Sequence, residues 1–80
     1  MLNKNMNDIS ELVRKGKDYL ESTNYQDALG CFEQALLLNP NNPELWNFKG
    51  VSLRSMGRYD EAIECFNKSL EIDPRDKEAS

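Results

Sequence analysis

Two cysteines, Cys31 and Cys65, stand 34 residues apart in an 80-residue chain that contains no histidine. They are the first residues to test for redox or metal chemistry. Two thiols without an imidazole make a poor zinc site. Without histidine the chain also lacks the usual acid–base group near neutral pH and the commonest metal ligand. The carboxylates Asp60, Glu61 and Glu64 cluster, but their spacing suits the solvated first turns of a helix, where negative charge opposes the helix dipole. Gly16 and Gly50 invite a phosphate-cradling reading. No strand precedes either one, and neither lies in a glycine-rich loop, so that reading lacks its structural context. No nucleophile–base pair and no metal set can be composed. The expectation is no catalytic residue, no metal, no cofactor and no enzyme.

Composition narrows the rest. Formal charge is −4, hydrophobic residues make up 39%, charged residues 30%, and mean hydropathy is −0.74. One small domain fits, with a thin stability margin, because short chains bury a smaller share of their surface. Two cysteines cannot build the disulfide framework of a small secreted domain. No apolar run approaches the ~18 residues of a spanning helix, and no signal-peptide pattern opens the chain. A cytoplasmic protein without a membrane partner is expected. The acidic balance argues against nucleic acid and anionic lipid as partners.

The elements that position these residues emerge when the sequence is slid along itself by 34 positions. Lys15, Gly16, Tyr25, Ala28, Cys31, Phe32, Leu36 and Pro40 each meet an identical residue, at Lys49, Gly50, Tyr59, Ala62, Cys65, Phe66, Leu70 and Pro74. Such self-similarity marks a repeat architecture. The expected organisation is a lead over 1–8, repeats over 9–42 and 43–76, and a stub over 77–80. Each repeat reads as two helices, about 9–22 and 25–38, then 43–56 and 59–72. Asn42, Pro43 and Glu44 form a helix start. Asp8 and Glu11 have capping-box spacing. Gly57 permits the left-handed residue that ends the third helix, and Thr23 holds that place less well in the first repeat. Asn39-Pro40 and Asp73-Pro74 end the other two.

Apolar stripes then fall at helical spacing. Leu12, Gly16 and Tyr19 are followed by Tyr25, Ala28, Leu29, Phe32, Ala35 and Leu36. Trp46, Gly50 and Leu53 are followed by Tyr59, Ala62, Ile63, Phe66 and Leu70. The aromatics Tyr19, Tyr25, Trp46 and Tyr59 are expected in the core. Small residues at Gly16, Gly50, Ala28 and Ala62 allow close helix approach, with Phe32 and Phe66 filling the space. Cys31 and Cys65 would then lie about one helix spacing apart, roughly 8–10 Å, beyond the ~7 Å reach of a disulfide. Both read as free buried thiols. Glu64 and Lys68 form a favourable i, i+4 pair. Gly30 lies inside a helix on the solvent side, where nothing asks for glycine, and Leu37 should be exposed.

A 34-residue helix–turn–helix unit carrying Trp46, Gly50, Gly57, Tyr59, Ala62, Phe66 and Pro74, matched by Leu12, Gly16, Tyr19, Tyr25, Ala28, Phe32, Ala35 and Pro40, resembles the tetratricopeptide repeat. The resemblance covers residues 9–76. Lys15 and Lys49 stand where leucine is common, Leu53 replaces a frequent tyrosine, and Ser69 replaces a frequent alanine. It implies an all-α fold, two stacked helix–turn–helix repeats forming an antiparallel solenoid fragment. It also implies a scaffold, with the first helix of each pair lining a concave groove for a protein or peptide. The groove-facing positions are Ser10, Val13, Lys17, Leu20 and Glu21, then Glu44, Asn47, Val51, Arg54 and Ser55. Lys17 and Arg54 would offer cationic anchors, and Asn47 would reach peptide backbone. Members that grip a C-terminal carboxylate need lysine and asparagine one turn apart, then another asparagine in the next repeat. Val13, Lys17 and Phe48 hold those positions, so that clamp is not assembled.

A repeat buries its apolar face only against neighbours. Ile63, Phe66, Leu70 and Ile72 would therefore lack part of their cover. Either the chain is a piece of a longer array, or a second copy covers this edge. The expectation is a homo-oligomer, associating by edge stacking, helix exchange or dimer formation.

Overall fold

The computed structural model describes residues 8–74. Residues 1–7 of the expected lead over 1–8, and the whole stub over 77–80, lie outside the described residues. Four helices follow in order: α1 (Ile9–Glu21), α2 (Tyr25–Leu38), α3 (Pro43–Ser55) and α4 (Tyr59–Ile72). Each packs on the next, α1 on α2, α2 on α3 and α3 on α4. The fold is all-α, two helix–turn–helix units in series.

Local chemistry explains the boundaries. The Asn42 side chain accepts a hydrogen bond from the Glu44 amide at 2.9 Å, and Pro43 occupies the first helical position. Asn42 thereby satisfies one of the four amides that a helix start leaves unpaired. The capping box expected from Asp8 and Glu11 does not form, since Asp8 makes no side-chain cap bond. The Glu11 carboxylate is held by the Arg14 guanidinium one turn along and does not reach back.

Both hairpin turns close the same way. The Asn24 amide donates to the Tyr19 carbonyl at 2.8 Å, and the Arg58 amide to the Leu53 carbonyl at 2.9 Å. These are the long bonds of a helix end that turns through a left-handed residue. Thr23 and Gly57 are those residues, with φ of 61° and 80°.

The glycines let α1 meet α2 and α3 meet α4. A Cβ on Gly16 would lie 2.5 Å from the Phe32 ring, and one on Gly50 would lie 2.6 Å from the Phe66 ring. Nothing lies within 4 Å of the position a Cβ would take on Gly30. Two apolar clusters result. Leu29, Leu53, Ala62 and Cys65 form one, and Ala35, Leu36 and Leu45 the other. Trp46 borders both, and its indole N–H donates to the Pro40 carbonyl at 2.8 Å. Two hydroxyls are fully enclosed: Ser52 donates to the Phe48 carbonyl and Ser69 to the Pro43 carbonyl, each at 3.0 Å.

Three expectations are corrected. Tyr59 is 62% exposed and is not a core aromatic. It is the first residue of α4. Tyr19, Tyr25 and Trp46 are only half-buried. The Glu64–Lys68 pair is not among the ion pairs of the described residues. The Lys68 ammonium lies over the Trp46 ring instead, 6.0 Å from its centroid. Such cation–π contact competes with an exposed ion pair of small net value.

Candidate partner-binding surface

The positions named for the groove come from α1 and α3, the first helix of each unit. Spacing of three and four residues puts Ser10, Val13 and Lys17 on one face of α1. A groove of about 470 Å³ gathers these three with Ile9 and Arg14, and with Asn42 and Glu44 at the start of α3. Asp8 completes the lining. Four of the ten expected residues, Ser10, Val13, Lys17 and Glu44, are thus brought together. Leu20, Glu21, Asn47, Val51, Arg54 and Ser55 do not line this groove.

Asp8, Ile9, Arg14 and Asn42 also line the groove, beyond the expected positions. Asp8 and Asn42 are equivalent positions, 34 residues apart, each preceding the first helix of its unit. That equivalence, visible in the sequence, is a signal for Asp8 and Asn42, and none exists for Ile9 and Arg14. The groove carries both signs of charge, Arg14 and Lys17 against Asp8 and Glu44. Val13 and Ile9 supply a half-buried apolar floor.

Cations here are positioned by aromatic rings. Lys17 Nζ stands 5.3 Å from the Phe48 ring centroid, so α1 reaches across to α3. The guanidinium of Arg54 lies 5.7 Å from the Phe66 centroid. Lys17 and Phe48 are thus in cation–π contact. Phe48 in turn stacks on Phe32 of α2, with centroids 5.0 Å apart and planes at 11°.

A match to the tetratricopeptide repeat family model extends over residues 13–77. The chain belongs to the tetratricopeptide repeat family. No curated protein matches it. Tetratricopeptide repeats generally mediate protein–protein interaction and are typically non-enzymatic. In tetratricopeptide terms, α1 and α3 are the first helices and α2 and α4 the second.

A second depression lies between α3 and α4, where the sequence reading placed nothing. Trp46, Lys49 and Leu53 of α3 and Glu61, Glu64, Cys65 and Lys68 of α4 line about 220 Å³. Lys49 Nζ sits 5.4 Å from the Trp46 centroid and 3.7 Å from Glu33 of α2. Burial pushes the thiol of Cys65 up from its ordinary pKa, and that of Cys31 likewise. Both are free, Cys65 buried and Cys31 partly so. A neutral thiol is a weak nucleophile and a weak ligand. Among the described residues no group of three metal-ligating side chains converges. No helix of the described residues is long and apolar enough to cross a membrane.

Proposed function

We propose that this chain is a non-enzymatic interaction scaffold of the cytoplasm that binds a peptide or helix along the α1–α3 face, the expected concave side. The observation that carries the proposal is the groove joining Ser10, Val13 and Lys17 to Glu44 across two repeats. Half-buried Val13 and Ile9 suit one apolar side chain of a ligand. Lys17, exposed and with its ammonium 5.3 Å from the Phe48 ring centroid, suits a carboxylate. Farther along the same helices, Leu20, Glu21, Asn47, Val51, Arg54 and Ser55 extend the surface, with Asn47 placed for peptide backbone and Arg54 as a second cation. Nucleic acid and anionic membrane are not the partners, given the net charge of −4.

The test is selection from a displayed peptide library, followed by amide-shift mapping of the winning peptide. Shifts are expected at Val13, Lys17, Glu44 and Asn47, with at least tenfold weaker binding for Val13→Asp and Lys17→Glu. Shifts confined to α2 and α4 would overturn the reading.

A second reading is favoured by a separate observation. Ile63 is 54% exposed, and Phe66, Leu70 and Ile72 are only half-buried. These residues form an apolar edge at which the chain would self-associate.

A further inference from the structure

The groove that joins α1 to α3 has an order of charge along it. Asp8 and Glu44 stand where the two helices begin, Lys17 stands farther along α1, and Val13 lies between. Asp8, Glu44 and Lys17 are exposed, whereas Val13 is half-buried. The ion pairs of the described residues use none of these three charges: they join Arg14 to Glu11 and Asp18, Lys49 to Glu33, and Arg58 to Glu61. Arg14 also lines the groove, but Glu11 and Asp18 already balance it. Along α1 the groove therefore presents carboxylates, an apolar seat and an ammonium, in that order.

The spacing selects the shape of a ligand. Val13 lies five residues beyond Asp8, and Lys17 four beyond Val13. At the rise of a helix each step is about 6–8 Å. An extended peptide advances about 3.3 Å per residue and sends alternate side chains to the same side, so each step matches two of its residues. A helical ligand would need side chains about nine apart to span both steps, and those point to opposite sides of a helix. Asp8 joins the face from outside α1, with an extended backbone. The positive ends of the α1 and α3 dipoles offset part of the carboxylate charge, so that end is read by direct pairing at short range.

We infer that the groove takes an extended peptide with a basic, an apolar and an acidic side chain at alternate positions. The basic one pairs with Asp8 and Glu44, the apolar one rests on Val13 and Ile9, and the acidic one meets Lys17. The inference rests on the peptide-groove reading of the α1–α3 face and adds the ligand's charge pattern and orientation. A peptide of uniform charge sets like against like at one end, and that repulsion is the source of selectivity.

Titration of the 80-residue chain with end-capped heptapeptides, followed by amide shifts, tests this, because capping leaves only side-chain charges. Ser-Lys-Ser-Leu-Ser-Glu-Ser should bind about fivefold tighter than versions with glutamate at both charged positions or lysine at both, the scale of exposed ion pairs. Shifts are expected at Ile9, Val13, Lys17 and Glu44. In Lys17→Glu, at an exposed position where helix content should hold, the preference should switch to the dibasic peptide. A nitroxide beside the peptide's lysine should broaden the Glu44 amide more than the Lys17 amide. Equal affinities for the three peptides, or the opposite broadening, with shifts still on α1 and α3, would overturn the charge order and leave the groove reading standing. Shifts confined to α2 and α4 would overturn both. No shift with any of the three would overturn the charge order, and the library selection would decide the groove reading by itself. Concentration-dependent shifts at Val13 and Lys17 without peptide would give the groove to a second copy and overturn the proposal.

Discussion

The Ser69 hydroxyl donates to the Pro43 carbonyl at 3.0 Å and ties the last part of α4 to the first turn of α3. Its counterpart one repeat earlier is Ala35, fully buried and without a hydrogen bond to give. The same site is thus served by packing in one repeat and by packing plus a polar staple in the other. Ser69→Ala removes the bond and keeps the volume nearly constant. A loss of about 1 kcal/mol is expected, the ordinary net value of such a bond. Urea unfolding followed by circular dichroism measures it, and an unchanged midpoint would show the bond to be neutral.

Three glycines should respond in opposite directions to alanine. Gly16→Ala and Gly50→Ala drive a methyl into the Phe32 and Phe66 rings. Overpacking of this kind costs about 1–3 kcal/mol, which exceeds the roughly 1 kcal/mol gained in helix propensity. Gly30 has open space around it, so Gly30→Ala should stabilise by about 0.5–1 kcal/mol. Thermal melts of the three variants are sufficient. A destabilised Gly30→Ala would mean that another surface, such as a second copy, rests on that spot.

The two hairpin turns make a matched pair. Thr23 holds a left-handed backbone at φ 61°, and Gly57 does so at φ 80°. An L side chain in that region costs about 1–2 kcal/mol, and glycine avoids the penalty. Thr23→Gly should therefore stabilise by about 1 kcal/mol, and Gly57→Thr should destabilise by a similar amount. Chemical denaturation of both variants checks the pair together, because the effects must have opposite sign.

Acid stability has a small, locatable component at the start of α4. The Arg58 guanidinium donates two hydrogen bonds to the Glu61 carboxylate, at 2.9 and 3.1 Å. That holds the Glu61 carboxyl below its ordinary pKa. A depressed folded-state value means that the stabilisation is present at neutral pH and is lost as pH falls through the folded pKa. The pair is solvent-exposed, so its contribution is small. Side-chain carbon shifts should show Glu61 titrating at lower pH than in Arg58→Gln. Equal midpoints would mean that the contact is not kept in solution.

Much of this fold was legible in the sequence because one period controls it. Eight identities at a spacing of 34 give the two repeats, and Gly16 with Phe32 and Gly50 with Phe66 give the close helix approach. The site was less legible. Helical spacing puts Ser10, Val13 and Lys17 on one face of α1, and all three line the groove. It could not show that Glu44 would join them while Asn47 and Val51 lay outside the groove, because that depends on how α1 and α3 cross. Tyr59 misled because a stripe position in the first turn of a helix need not point at the neighbour. The depression around Trp46 had no sequence signal. It arises where Lys49 and Lys68, from different helices, converge on one ring.

Trp46 has a use that follows from where it lies. It is the single tryptophan of the chain, it borders both apolar clusters, and its indole is bonded to the linker between the repeats. Its fluorescence is therefore an intrinsic gauge of the inter-repeat junction, while far-ultraviolet circular dichroism reports all four helices at once. If the two signals change together on denaturation, the repeats unfold as one unit. If the emission changes first, the repeats separate before their helices melt.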